Sequence, residues 1–88
     1  MKFTKSGFLF LGILILGFGP AGQRVAEDLL AAHGPRLTVV DLSFENVAIA
    51  HRYGLTAHVG DATQTDVLEH AGIHRARIVV LTIPAPST

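Results

Sequence analysis

Phe10-Leu11-Gly12-Ile13-Leu14-Ile15-Leu16-Gly17-Phe18-Gly19-Pro20-Ala21-Gly22 is the stretch that decides the fold. An apolar run, Leu11 to Leu16, leads directly into Gly17-x-Gly19-x-x-Gly22, and a helical pattern follows at once. Strand, glycine turn and helix, in that order, is the context a dinucleotide-binding fingerprint needs. Each glycine has its own task. Gly17 turns the chain sharply off the strand, and Gly19 has no side chain to hold a pyrophosphate away. Gly22, with Ala26 one turn on, lets the helix lie close to the sheet. The first amides of that helix have no partner within it, and its dipole adds positive charge, so an anion is stabilised there.

Eighty-eight residues make one small domain at most, able to bury about two-thirds of its surface. Apolar residues make up 49% and charged residues only 16%, which leaves apolar surface for another domain or subunit. The formal net charge is zero and there is no basic run, so nothing points to nucleic acid. The absence of cysteine excludes a disulfide scaffold and thiolate metal sites. Met1-Lys2-Phe3-Thr4-Lys5 followed by the apolar stretch Phe8 to Phe18 has the outline of a secretory signal peptide. Against that reading, the run ends in spaced glycines and merges into an amphipathic helix. Residues 1–8 are expected to be an N-terminal linker or extension, and 9–88 a nucleotide-binding domain.

The first helix is expected from about Pro20 to His33, with Val25, Ala26, Leu29 and Leu30 as its core stripe and Gly34-Pro35 as its stop. Leu37-Thr38-Val39-Val40-Asp41 reads as a short buried strand ending in a carboxylate. Asp41 lies 19 residues after Gly22, close to the offset of an acid that binds an adenosine ribose. Ser43 can cap a second helix with Val47, Ala50 and Tyr53 inward and Gly54 at its end. Leu55 to Val59 is a third strand, followed by the turn Gly60-Asp61-Ala62-Thr63. Thr63 or Thr65 can cap a short third helix closed by Gly72, and Ile78 to Ile83 gives a fourth strand stopped by Pro84.

The pattern is β-α-β-α-β-α-β. Strands that read as apolar runs belong to a parallel sheet covered on both faces. Right-handed crossovers then favour order 3-2-1-4, a Rossmann-like, doubly wound α/β fold. Its switch point lies between the first and fourth strands, with Gly17 to Gly22 and Thr82 to Pro84 on its two sides. A full dinucleotide fold continues with more helix and strand, so the domain reads as truncated at its C-terminal end. His70 and His74 are four apart, but Gly72 interrupts them and no third ligand is near, so no metal site is expected. No nucleophile elbow, Ser/His/Asp set or paired carboxylates can be recognised, and no catalytic residue is assigned.

Gly17-Phe18-Gly19-Pro20-Ala21-Gly22, Asp41, Gly60-Asp61-Ala62-Thr63, Val67 to Ile73, and Val80-Leu81-Thr82-Ile83-Pro84 occur in one order. This combination strongly resembles the TrkA-N, or RCK N-terminal, domain, the nucleotide-binding regulatory module of potassium channels and transporters. The versions fused to Kef-type monovalent cation:proton antiporters are the most similar. The resemblance implies a cytoplasmic domain at the inner face of the membrane that binds NAD(H), or in some relatives AMP, ADP or ATP. It also implies pairing into homodimers and control of a fused or associated cation transporter. Carried over by position, Gly17, Gly19 and Gly22 line the phosphates, Asp41 holds the ribose, and Asp61 and Ala62 sit by the adenine. Thr82, Ile83 and Pro84 flank the ligand, and Phe18, Pro20, Ala21, Leu42 and Gly60 complete the expected binding set. Many relatives have arginine where this chain has Pro20, which removes one phosphate contact and one backbone donor. The alternative is the cofactor-binding half of an NAD-dependent dehydrogenase. The second turn, the Ala71-Gly72-Ile73 stretch and the lack of a placed acid or base tell against it.

Overall fold

The computed structural model describes residues 12–33 and 36–82. The elements follow one another as β1 (Ile13–Leu16), α1 (Pro20–His33), β2 (Leu37–Asp41), α2 (Phe44–Arg52), β3 (Thr56–Val59), α3 (Thr65–Ala71), a 3-10 turn (Ile73–Arg75) and β4 (Ile78–Leu81). The four strands form one parallel sheet of order β3-β2-β1-β4. Ile13 stands opposite Leu37 on one side and Ile78 on the other. Fold class and strand order are those expected from the sequence. Residues 1–8, Gly34-Pro35, Ile83 and Pro84 lie outside the described residues.

β1 is central and buried throughout, because side chains alternate between two apolar layers. Ile13 and Ile15 pack with Phe18, Ala26, Leu37, Val39, Ala50 and Leu55, the layer of α1 and α2. Leu14 and Leu16 pack with Val40 and Ala71 on the side of α3. The coverage expected on both faces does not extend to β4. There Ile78, Val79 and Leu81 are 53%, 44% and 68% exposed at the sheet edge, and of β4 only Val80 packs against the layer of α1 and α2.

Local chemistry sets the element ends. Ser43 caps α2 as expected, its Oγ accepting from the Asn46 amide at 3.2 Å. Gly54, at φ 82°, supplies the left-handed residue just past that helix. The cap expected for α3 is different. Gln64 occupies the N-cap without a side-chain bond, and Thr65 is already helical. Thr63 is committed elsewhere: its amide and hydroxyl both donate to Asp61 Oδ1, at 2.8 and 2.7 Å. The Tyr53 hydroxyl donates to Glu27 Oε2 at 2.7 Å and ties α2 to α1. No described helix is long and apolar enough to cross a membrane.

Candidate functional site

At the carboxyl ends of β1, β2 and β3 lies a cleft of about 410 Å³. Its floor is the glycine turn. Gly17, at φ 105°, donates its amide to the Val40 carbonyl at 2.8 Å, so the chain leaves β1 still tied to β2. On the other side, the Thr82 amide donates to the Leu16 carbonyl at 2.9 Å and the Thr82 hydroxyl to the Gly17 carbonyl at 2.8 Å. A Cβ on Gly22 would overlap that same Gly17 carbonyl oxygen, so the start of α1 is seated on the turn. A Cβ on Gly19 would meet no protein atom within 4 Å, and Gly19 lines the cleft. Pro20 and Ala21 line it too, in the first turn of α1. There the Ala21 and Gly22 amides lie too near the helix start to have an intrahelical acceptor.

Asp41 ties this floor to α2. Its Oδ2 accepts from the Phe18 amide at 2.6 Å and from Asn46 Nδ2 at 3.2 Å, and its Oδ1 accepts from the Ser43 amide at 2.8 Å. A carboxylate receiving backbone N–H groups makes charge-assisted bonds, stronger than neutral ones. The Phe18 amide is thereby engaged with protein rather than open to the cleft. Its carbonyl accepts from Gln23 Nε2 at 3.0 Å, and its ring is fully buried, edge-on to Tyr53 at 5.6 Å. Phe18 therefore builds the floor from beneath.

The far wall is the Gly60–Thr63 turn, all four residues of which line the cleft. A Cβ on Gly60 would come within 2.8 Å of Val67 Cγ1, so that glycine lets the turn pack on α3. The hydroxyl and amide of Thr63 hold the Asp61 carboxyl below the usual carboxylate range. Leu42 and Thr82 complete the expected set that the structure brings together. Gly22 stands behind the turn, and Ile83 and Pro84 are outside the described residues.

Val40, Asn46 and Thr63 also line the cleft and were not expected as site residues. Asn46 had a trace in the sequence: it lies three residues after the cap Ser43, where the first turn of α2 returns towards Asp41. The lining holds two carboxylates and no cationic side chain, so an anion would depend on the α1 amides and dipole. Outside the cleft, His58 on β3 and His70 on α3 meet edge to face at 5.2 Å. Burial, then the nearby His70 and His51, holds His58 below the usual histidine range. No group of three or more metal-ligating residues is assembled among the described residues.

The TrkA-N domain model matches residues 13–88. A glutathione-regulated potassium-efflux system protein of Haemophilus influenzae is 39% identical over 71 residues, which is 81% of this chain and 11% of that protein. The crystal structure of the TrkA-N domain of inner membrane protein YbaL from Escherichia coli superposes with a TM-score of 0.78 at 30% identity. It covers 86% of this chain, and this chain spans 56% of it.

Proposed function

Since the chain belongs to the TrkA-N domain family, we propose that it is a regulatory domain that binds NAD(H), or AMP, ADP or ATP, in the cleft over the glycine turn. Binding is passed on to a fused or associated cation transporter, in keeping with the potassium-efflux relative. The observation that carries this reading is the juxtaposition of the bare Gly19, the start of α1 and the Asp41 carboxylate in one cleft. Phosphates would lie on Gly17 to Gly22, the ribose by Asp41, and the adenine between Leu42 and the Gly60–Ala62 turn. Ile83 and Pro84 would follow Thr82 along the ligand, and Phe18 acts through the backbone of the turn.

The domain acts by binding and not by catalysis. Of the two carboxylates in the cleft, Asp41 is bonded to Phe18, Ser43 and Asn46, and Asp61 to Thr63. The proposed setting is the cytoplasmic face of the membrane, with the domain, residues 9–88, working as a homodimer. A calorimetric panel of NADH, NAD+, AMP, ADP and ATP tests the reading. Saturable one-to-one binding of at least one member is expected. Binding of none, or turnover of an oxidisable substrate by the full-length protein, would overturn it.

A further inference from the structure

Asp41 does not have enough free acceptor capacity to hold a ribose alone. A carboxylate offers about four lone-pair sites on its two oxygens. Three donors already occupy them: the Phe18 amide and Asn46 Nδ2 on Oδ2, and the Ser43 amide on Oδ1. One site remains, on Oδ1, whereas a ribose presents two neighbouring hydroxyls. Asn46 supplies what is missing. Asp41 only accepts, so the asparagine must turn its nitrogen towards it, which fixes the amide orientation. The second Nδ2 proton and the Oδ1 acceptor of Asn46 then have no partner among the described residues. Its backbone amide is already satisfied by the Ser43 cap, so the side chain is not needed for capping. Asn46 is part-buried and lines the same cleft as Asp41.

We propose that Asn46 is a ligand-reading residue, and that Asp41 and Asn46 together recognise the vicinal diol of an adenosine ribose, each taking one hydroxyl. The inference rests on the nucleotide reading of the cleft. Asp41 then has two tasks. It holds the glycine turn through the Phe18 amide and accepts one hydroxyl proton, while Asn46 accepts from or donates to the other.

The test is calorimetry on the chain with AMP and NAD+, each beside its 2′-deoxyadenosine and 3′-deoxyadenosine forms, for wild type and Asn46→Ala. Wild type is expected to bind each deoxy form several-fold more weakly than the parent. Asn46→Ala is expected to weaken the parent about three- to tenfold, the contribution of one neutral hydrogen bond. That penalty should vanish against one of the two deoxy forms, the one lacking the hydroxyl that Asn46 holds. Asn46→Leu, which keeps the side-chain volume without polar atoms, should repeat the pattern. Unchanged affinity of Asn46→Ala for the parent ligand would overturn the proposal. So would an equal loss against parent and both deoxy forms, which would mean that Asn46 acts only through the fold. Wild type that binds neither AMP nor NAD+ would overturn the nucleotide reading itself, an outcome distinct from these two.

Discussion

Gly22→Ala separates the glycine that builds the turn from the glycine that leaves room above it. The added methyl would overlap the Gly17 carbonyl oxygen and stand 3.1 Å from Thr82 Oγ1. Neither atom can yield freely. The Gly17 carbonyl accepts from the Thr82 hydroxyl at 2.8 Å, and the Gly17 amide is bonded to Val40, so displacing this residue loosens the end of β1 from both neighbours. Overpacking of this kind costs about 1–3 kcal/mol. With a urea dependence of about 1 kcal/mol per molar for a chain this small, the unfolding midpoint should fall by about 1–3 M. Gly19→Val should behave in the opposite way. Its Cβ would meet no protein atom within 4 Å, so the expected loss is that of a weaker helix cap, about 1 kcal/mol, while nucleotide binding is abolished. Urea titrations of both variants, paired with calorimetry, check the contrast. A Gly22→Ala midpoint equal to wild type would refute the seating of α1 on the turn. Wild-type affinity in folded Gly19→Val would refute the phosphate placement.

Other expectations follow from single contacts. NAD(H) should bind at least about tenfold more tightly than NADP(H), a difference of about 1.4 kcal/mol, because Asp41 repels a 2′-phosphate and no cation lines the cleft; equal affinities in a titration would show that Asp41 does not face the ribose. Since His58 titrates below its ordinary value when folded, the unfolded chain binds the extra proton first. Stability is thus unaffected above about pH 6.5 and falls as pH drops below it. Melting curves at pH 7.5 and 5.5 should show this fall blunted in His58→Asn; an identical pH slope in both proteins would contradict it. The exposed apolar side chains of β4 should make the chain self-associate, and sedimentation of an ideal monomer at high concentration would count against that.

Where one physical cause dominated, the sequence was enough. β1 is apolar throughout, and β2 is apolar at all but Thr38 and Asp41, because both faces of these inner parallel strands are covered. Pro20, Ser43 and Gly72 marked helix ends through backbone chemistry that does not depend on the rest of the fold. Competition between near neighbours was not legible. Thr63 is a good capping residue by composition, yet Asp61 two positions away offers its hydroxyl a charged acceptor, and that bond is the stronger. Phe18 looked like part of the cleft because it lies between two cleft glycines. Its ring is drawn under the turn by the apolar layer that includes Tyr53, a pairing 35 residues away in sequence. Asn46 was hidden for a related reason: its role depends on how α2 brings its first turn back against Asp41.

An adenine nucleotide held in the cleft over the glycine turn would touch three separate segments of backbone. Amide chemical shifts of the isotopically labelled chain, followed through a titration with NADH, test this most directly. Saturable shifts are expected at Gly19, Ala21 and Gly22, at Asp41 and Leu42, and at Gly60 to Thr63, with the outer face of α2 unmoved. Shifts that fail to saturate, or that saturate on a surface away from those three segments, would contradict it.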